Sequence, residues 1–267
     1  MDSYAEKLYM SDPLQEPIVR SAIELLALQP GSRGLDAGCG VGLQALLLAE
    51  AVGPHGHVTG LDISAELLTH AEQNARRAGM SERVSFREGD VRRLPFDDAT
   101  FDWAWSASCV GYAPMEPVPL VRELARVVRP GGTVAILAWS SEQLLPGYPL
   151  LEARLDATAP GIAPFARGMR PDRHFVRALG WFQEIGLRNP TAHTLTGQAQ
   201  APLSEAMRKA LEALLEMRWP GAESELSQED RREYDRLCNP NSPDFILKLP
   251  DYYALFTCSM FAGTVAR

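Results

Sequence analysis

Leu35-Asp36-Ala37-Gly38-Cys39-Gly40-Val41-Gly42 separates two apolar segments of different period. Before it, Arg33 to Ala37 reads as a short strand. After it, Leu43 to Val52 is apolar nearly all round, the mark of a buried helix. Glycine at every second position removes Cβ atoms where the chain turns sharply, so a ligand can approach the backbone closely. N–H groups at the start of the following helix are expected to face that ligand. The spacing is Gly-x-Gly-x-Gly, whereas the dinucleotide fingerprint Gly-x-Gly-x-x-Gly needs its third glycine where Leu43 stands.

The pattern continues on both sides. Ile18, Val19, Ala22, Ile23, Leu25 and Leu26 fall at helical spacing, and Pro30-Gly31 ends that helix. His57 to Leu61 reads as a second strand. Ser64 is an N-cap for a helix with Leu67, Leu68, Ala71, Ala75 and Ala78 on one face, and Gly79 suits its left-handed end. Arg83 to Glu88 and Phe101 to Ser106 are the third and fourth strands. Leu120, Val121, Leu124, Val127 and Val128 mark a helix whose Arg122, Glu123, Arg126 and Arg129 point outward. Pro130-Gly131-Gly132 reads as a turn, and Thr133 to Ala138 as a fifth, central strand. Such alternation implies right-handed crossovers and a doubly wound α/β sheet.

After Trp139 the pattern changes. Ser140 to Arg170 is rich in Pro, Gly and Ala, with room for one irregular helix. Asp172 is expected to cap a helix bearing Phe175, Val176, Leu179, Phe182 and Ile185, stopped by Gly186. Thr191 to Gln200 reads as a strand, Leu203 to Arg218 and Ser227 to Leu237 as helices, and Tyr253 to Val265 as a strand paired with Thr191 to Gln200. The expected division is therefore residues 1–139 as N-terminal helix and ligand-binding core, 140–252 as a variable cap region, and 253–267 as the strand that completes the sheet.

Composition sets the outer limits. The chain has 267 residues, 46% hydrophobic and 22% charged, so wholesale disorder is excluded. The net charge of −8 repels a phosphate backbone, and the pairs Arg76-Arg77 and Arg92-Arg93 have acidic neighbours, so no nucleic-acid partner is expected. No basic start followed by an apolar stretch is found at the N-terminus, and no apolar run approaches the roughly 20 residues that cross a bilayer. Cys39, Cys109, Cys238 and Cys258 lie far apart without metal-ligand spacing. The expectation is a reduced cytoplasmic protein with no metal site and no membrane span, its oligomeric state open.

Three further stretches sharpen the site. Asp62 ends the second strand, where a carboxylate can accept from both hydroxyls of a ribose; the bland alternative is that it only caps the helix beginning near Ser64. Glu88-Gly89-Asp90-Val91 ends the third strand, where a carboxylate can accept from an adenine amine while the Val91 N–H donates to a ring nitrogen. Asp102-Trp103-Ala104-Trp105-Ser106 forms the fourth strand. All of these lie at strand carboxyl ends, where open α/β sheets bind ligands.

With these stretches in order, the chain resembles the class I S-adenosylmethionine-dependent methyltransferases, in particular the small-molecule group related to the ubiquinone and sterol enzymes. Leu35 to Gly42, Gly60 to Ser64, Glu88 to Phe96, Phe101 to Ser106 and Arg129 to Gly132 carry the resemblance, over about residues 30–140. It implies a Rossmann-like mixed sheet of about seven strands with the last antiparallel, helices on both faces and a helical cap insertion. It implies S-adenosylmethionine as cofactor. Asp36 with Gly38, Cys39, Gly40 and Gly42 would line its methionine portion, Asp62 its ribose, and Ile63, Gly89, Asp90 and Val91 its adenine. Ser106 would offer backbone contacts to the amino-acid end, and Tyr4 and Arg20 of the N-terminal helix would close over it, Arg20 toward the carboxylate.

A sulfonium methyl is an activated electrophile, so the protein has mainly to position a nucleophile in line and exclude water. Trp105 is a candidate face for the positive charge, with plain core as its alternative. A base is needed only for an acceptor that is protonated when bound. No His-Asp constellation is present; His174, His193 and Tyr112 are the candidates, each also readable as ordinary surface or core. The acceptor pocket is expected between the sheet's carboxyl edge and the region after Trp139. Cys109, Tyr112, Trp139, Tyr148, Tyr252 and Tyr253 are its expected lining, with Phe165, Met169, Trp219 and Phe245 nearby. The function expected is methyl transfer to an O, N or C nucleophile of a small hydrophobic metabolite. The rivals are an NAD-dependent oxidoreductase and a non-catalytic S-adenosylmethionine-binding module.

Overall fold

The structure, a computed structural model, describes residues 3–112, 115–165 and 168–266. Seven strands, β1 (Arg33–Ala37), β2 (His57–Asp62), β3 (Val84–Glu88), β4 (Phe101–Ala107), β5 (Val128–Gln143), β6 (Arg188–Gln200) and β7 (Tyr253–Thr264), form one sheet in the order β3-β2-β1-β4-β5-β7-β6. β1 to β5 are parallel to one another, with Asp36 level with Gly60 of β2 and Trp105 of β4. β7 runs antiparallel to β5: Gly131 N donates to Val265 O and Val265 N to Gly132 O, each at 2.9 Å.

The helices are α1 (Ser3–Leu26), α2 (Leu43–Val52), α3 (Ala65–Arg77), α4 (Pro117–Val127), α5 (Pro149–Asp156), α6 (Ala178–Glu184), α7 (Glu205–Arg218) and α8 (Gln228–Cys238). Their ends follow from local chemistry. Ser64, Ser204 and Ser227 each accept a backbone N–H from the first turn of α3, α7 and α8. Gly79 beyond α3 and Gly186 beyond α6 take φ of +68° and +83°.

Three boundaries differ from the sequence reading. The N-terminal helix extends back to Ser3 through Pro13 and Pro17, which obscure its period. Pro130-Gly131-Gly132 lies inside β5 instead of forming a turn, because β7 pairs with it there; the irregularity is absorbed by a register shift against β4 between Phe101 and Trp103. Asp172 does not cap α6: it sits in a 3-10 turn, His174 caps a second such turn, and α6 begins only at Ala178.

The contacts divide the chain into two compact units. One comprises Met1–Ile18, Ser140–Met169 and Thr196–Thr257. It holds α5, α7 and α8, and its core includes fully buried Trp219, Tyr252, Phe256 and Leu144. Arg218 there bonds the buried Glu142, Asp156 and the Gly161 carbonyl, and Trp219 Nε1 donates to Asp156 at 2.9 Å. The other unit comprises Val19–Trp139, Arg170–Leu195 and Cys258–Arg267. Its core joins Leu35 and Leu61 of the strands to Leu120, Val121 and Leu124 of α4, Phe175, Trp181 and Phe261.

Candidate functional site: the carboxyl ends of the parallel strands

Within the second unit, β1, β2, β3 and β4 are parallel, so their carboxyl ends share one edge. The glycine loop between β1 and α2 is fixed there by its own N–H groups. Gly38 N and Cys39 N both donate to Leu61 O, at 2.7 and 2.9 Å. Gly40 N donates to Asp62 Oδ2 at 2.9 Å and Gly42 N to Cys39 O at 2.9 Å. Four of the five N–H groups from Gly38 to Gly42 are thus engaged within the chain. The loop's own N–H groups are thus spent on fixing its shape. What remains is the absence of side chains. At Gly38, φ is +83° and a Cβ would come within 2.6 Å of Cys109. At Gly42, φ is +78° and a Cβ would come within 2.8 Å of Ala71. Only glycine tolerates both the left-handed backbone and the crowding.

Of the two roles weighed for Asp62, its own hydrogen bonds show the local one. Its Oδ1 accepts Ser64 N at 3.0 Å and its Oδ2 accepts Gly40 N, so it caps and it ties β2 to the loop. Each carboxylate oxygen carries a second lone pair, which leaves capacity for further donors. Asp36, at the end of β1, is 2% exposed, and its Oδ2 has no hydrogen-bond partner. Burial, and next the charge of Asp62, push its carboxyl up to about 7. Ile63 beside Asp62 is 66% exposed, an apolar surface held open at the strand end.

At the end of β3, Asp90 is engaged by Arg92: the Arg92 N–H reaches Oδ1 at 2.8 Å and its guanidinium reaches Oδ2 at 2.8 and 2.5 Å. These bonds hold the Asp90 carboxyl below the usual range. Asp90 is therefore ion-paired with Arg92. Gly89 N donates to Asp62 O at 3.0 Å, and Val91 packs against the core.

The side chains of several expected residues are engaged within the chain. Ser106 is fully buried; its Oγ donates to Ala37 O at 2.7 Å and accepts Val110 N at 3.2 Å, so it straps β4 to β1. The Cys39 thiol is turned inward, where a Cβ on Gly60 would meet its sulfur at 2.9 Å. Trp105 is fully buried with Nε1 on Gln44 Oε1 at 2.9 Å, which makes it core. Arg20 pairs with Glu50 at 2.8 Å.

The acceptor residues separate. Cys109, Tyr112 and Trp139 belong to the second unit, and Cys109 packs on Gly38 at the glycine loop. Burial raises the Cys109 thiol to about 11, with the charges of Asp62 and Asp36 adding to it. Tyr112 packs on the core cluster, and Trp139 is a half-buried residue of β5. Tyr4, Tyr148, Tyr252 and Tyr253 belong to the first unit. Tyr252 is 1% exposed with its hydroxyl on Leu144 O, a core position, and Trp219 and Phe245 are core too. Tyr148 is covered by Arg236, Tyr253 bonds Gln198, and Tyr4 is exposed. Of the base candidates, His193 is exposed on the edge strand β6 and His174 caps Val176 N at 3.3 Å.

The structure adds one residue that the sequence reading passed over. Asn74 of α3 is buried and donates to Val41 O at 2.9 Å, holding the loop from the helix side. Its signal was available: Asn74 is a polar residue on the apolar stripe of Leu67, Leu68, Ala71 and Ala75.

The comparisons with known proteins agree with this frame. Residues 35–132 match the family model described as "Methyltransferase domain". Over that stretch the chain carries a methyltransferase domain. A demethylmenaquinone methyltransferase of Bacillus cytotoxicus is 34% identical over 130 residues, 47% of this chain and 52% of that protein. One of Bacillus subtilis is 28% identical over 193 residues, 67% of this chain and 81% of that protein. Apart from the latter, the chain spans about half the length of the curated relatives it matches. The solved structure of an S-adenosylmethionine-dependent methyltransferase from Aquifex aeolicus shares the fold, with a TM-score of 0.56 over 99% of this chain and 98% of that one, at 16% identity. The methyltransferase domain spans the glycine loop, Asp36, Asp62 and Asp90 together. Among the described residues no helix is long and apolar enough to cross a membrane, and no cluster of His, Cys, Asp and Glu could hold a metal ion.

The residues present fit the cofactor of that class. A buried carboxylate with an open oxygen suits a cationic ligand, and a loop stripped of side chains suits close approach.

Proposed function

We propose that this chain transfers the methyl group of S-adenosylmethionine to an oxygen, nitrogen or carbon nucleophile of a small hydrophobic metabolite. The observation that carries the reading is the glycine loop with its N–H groups spent on Leu61, Asp62 and Cys39, beside a buried Asp36 oxygen that has no partner. A pyrophosphate needs free N–H donors, and this loop offers few. A positively charged ligand needs acceptors, and this edge supplies carboxylates. An NAD-dependent oxidoreductase is disfavoured on the same ground.

When bound, S-adenosylmethionine supplies a methyl group already activated by its positive sulfur. The chain's own part is binding and orientation. Asp36 and the glycine loop would hold the methionine portion, Asp62 the ribose, and Ile63, Asp90 and Val91 the adenine. Cys109, packed on Gly38, and Tyr112 would line the acceptor side in the second unit. We assign no general base; an acceptor that is already nucleophilic needs none.

Demethylmenaquinone relatives make an apolar quinone-type ring the first acceptor to test, while the chain's partial coverage of most of them keeps the proposal at the class of small hydrophobic metabolite. The proposed setting is a reducing cytoplasm, which the free Cys39, Cys109, Cys238 and Cys258 fit.

Thermal unfolding with S-adenosylmethionine, S-adenosylhomocysteine and NAD in parallel tests the cofactor. A ligand at 100 times its Kd adds about 2.7 kcal/mol and raises Tm by several degrees. The two adenosyl ligands should shift Tm and NAD should not. A shift with NAD alone overturns the reading.

A further inference from the structure

The sequence places Glu123 and Arg126 on the outward face of α4, yet both side chains turn onto the loop that follows β3. Arg126 forks onto Glu123 through Nε and Nη2, each at 2.9 Å. The same guanidinium donates from Nη2 to Leu94 O at 3.0 Å, and from Nη1 to Phe96 O at 2.9 Å and Asp98 Oδ1 at 2.8 Å. Glu123 Oε2 accepts Leu94 N at 3.0 Å, and Ala99 N donates to Arg126 O at 3.0 Å. Every second residue from Leu94 to Asp98 is therefore tied to one arginine. The segment between β3 and β4 has no regular hydrogen-bonded structure apart from a bridge between Asp90 and Arg93. Side chains of α4 replace a backbone ladder as what fixes it.

The pair is built to be rigid. Arg126 and Glu123 are 30% and 22% exposed, and the fork is bidentate, so it fixes an orientation as well as a distance. Leu94 is 3% exposed, and Val91 and Phe96 pack on the same core as α4. The held segment adjoins Asp90, whose carbonyl accepts Arg93 N at 3.0 Å. A displacement at Leu94 is thus passed along a few bonds to Asp90 and Val91.

We infer that Arg126 and Glu123 are positioning residues for base selection: by fixing Leu94 to Asp98 they set the place of Asp90 and Val91, and through them the preference for adenine over other purines. The inference rests on the proposed roles of Asp90 and Val91. It goes beyond them in naming a pair on α4 that contacts neither cofactor nor acceptor.

The test compares S-adenosylhomocysteine with S-inosylhomocysteine, in which a carbonyl replaces the adenine amine. Their Kd values are measured by calorimetry, and hydrogen exchange of the amides of residues 90–98 is followed in the same samples without ligand. The wild-type chain should prefer the adenosyl ligand by about tenfold or more, since the inosyl ligand lacks the amine from which Asp90 would accept and carries a proton on the ring nitrogen to which Val91 N–H would donate. Arg126→Lys keeps the charge and loses the fork. It should cut that preference to about threefold or less and speed exchange at residues 92–98, with Glu123→Gln doing the same more weakly. If Arg126→Lys does not fold, Glu123→Gln decides. A folded variant that binds both ligands more weakly but keeps the wild-type preference shows a merely structural role and overturns the inference. Asp90→Ala separates the two levels: if it keeps the wild-type preference, the reading of Asp90 fails, and the inference with it. If Asp90→Ala loses the preference while Arg126→Lys retains it, only the inference fails.

Discussion

The Asp62 carboxylate accepts Gly40 N at 2.9 Å and Ser64 N at 3.0 Å, while Asp36, whose carboxyl feels its charge, keeps a buried oxygen with no donor. Two acids at the ends of adjacent strands have opposite environments. One is satisfied by the backbone it organises. The other is a buried acceptor waiting for a donor or a positive charge.

The first prediction concerns Asp36 and pH. Its carboxyl is raised from 3.8 to about 7 in the folded chain, so between those values the folded state holds a proton that the unfolded state has lost. Stability without ligand should therefore fall as pH rises from about 4 to about 7, by at most about 1.4 kcal/mol per pH unit, and level off above. Asp36→Asn should remove that slope and make the ligand-free chain more stable at pH 8. A cation held beside Asp36 favours its ionised form, so affinity for S-adenosylmethionine should rise with pH up to about 7, with proton release below it. Urea unfolding at pH 5 and pH 8, and calorimetry in two buffers of different ionisation enthalpy, measure both. An unchanged slope in Asp36→Asn would falsify the assignment.

The second prediction separates the two duties of Asp62. Asp62→Ala removes the acceptor of two backbone N–H groups, each such bond being worth about 1.5–3 kcal/mol, and part of that loss is regained from water. The ligand-free chain should lose about 2–4 kcal/mol of stability, and S-adenosylmethionine affinity should fall as well. Asp62→Asn keeps one carbonyl acceptor and should recover part of the stability. Paired denaturation and binding titrations decide. Stability lost with affinity intact would confine Asp62 to capping.

How far the sequence showed this site depends on how local each signal was. The glycine spacing, Asp36, Asp62, the Ser64 cap and the strand alternation are all readable within a few residues, and the observed strands follow them. The failures come from partners distant in sequence. Pro130-Gly131-Gly132 looks like a turn until Val265 pairs with it. The Ser106 hydroxyl finds Ala37, 69 residues away. Trp105 finds Gln44, and Arg126 finds Leu94 and Phe96. Tyr252 carries a polar tip that suggests a pocket, but its hydroxyl is satisfied on Leu144 inside the core of its own unit. Asn74 alone was legible and missed, as a polar interruption of an apolar stripe.

A third prediction concerns the thiols. Burial raises Cys109 to about 11 and Cys238 and Cys258 to about 12, and burial with the charge of Asp36 raises Cys39 as well. The thiolate is the reactive form, so none of the four should be alkylated quickly by iodoacetamide in the native chain at pH 7.5. All four should react in urea. Cys39→Ser should be nearly silent in cofactor binding, because its N–H and not its sulfur is the group that fixes the loop on Leu61. Mass spectrometry after brief labelling reads the first point. Rapid native labelling of Cys109 would show that the strand-end site lowers thiol pKa, contrary to the buried, acidic surroundings described.

The fourth prediction lies in the first unit. Glu142, with a side chain 3% exposed, is bonded by Arg218, which also reaches Asp156 at 3.0 Å and Gly161 O at 2.7 Å and lies over the Trp219 ring. Breaking a buried pair from one side leaves a charge away from water and costs about 3–5 kcal/mol, whereas replacing both partners by uncharged groups is often close to neutral. Arg218→Met should therefore destabilise the chain strongly. Arg218→Met with Glu142→Gln should recover more than half of that loss, short of the full amount because Asp156 and Gly161 O also lose a donor. A double-mutant cycle in urea measures the coupling. A double variant no more stable than Arg218→Met alone would show that the arginine acts through Asp156, Gly161 and Trp219, and that its charge pairing with Glu142 contributes little.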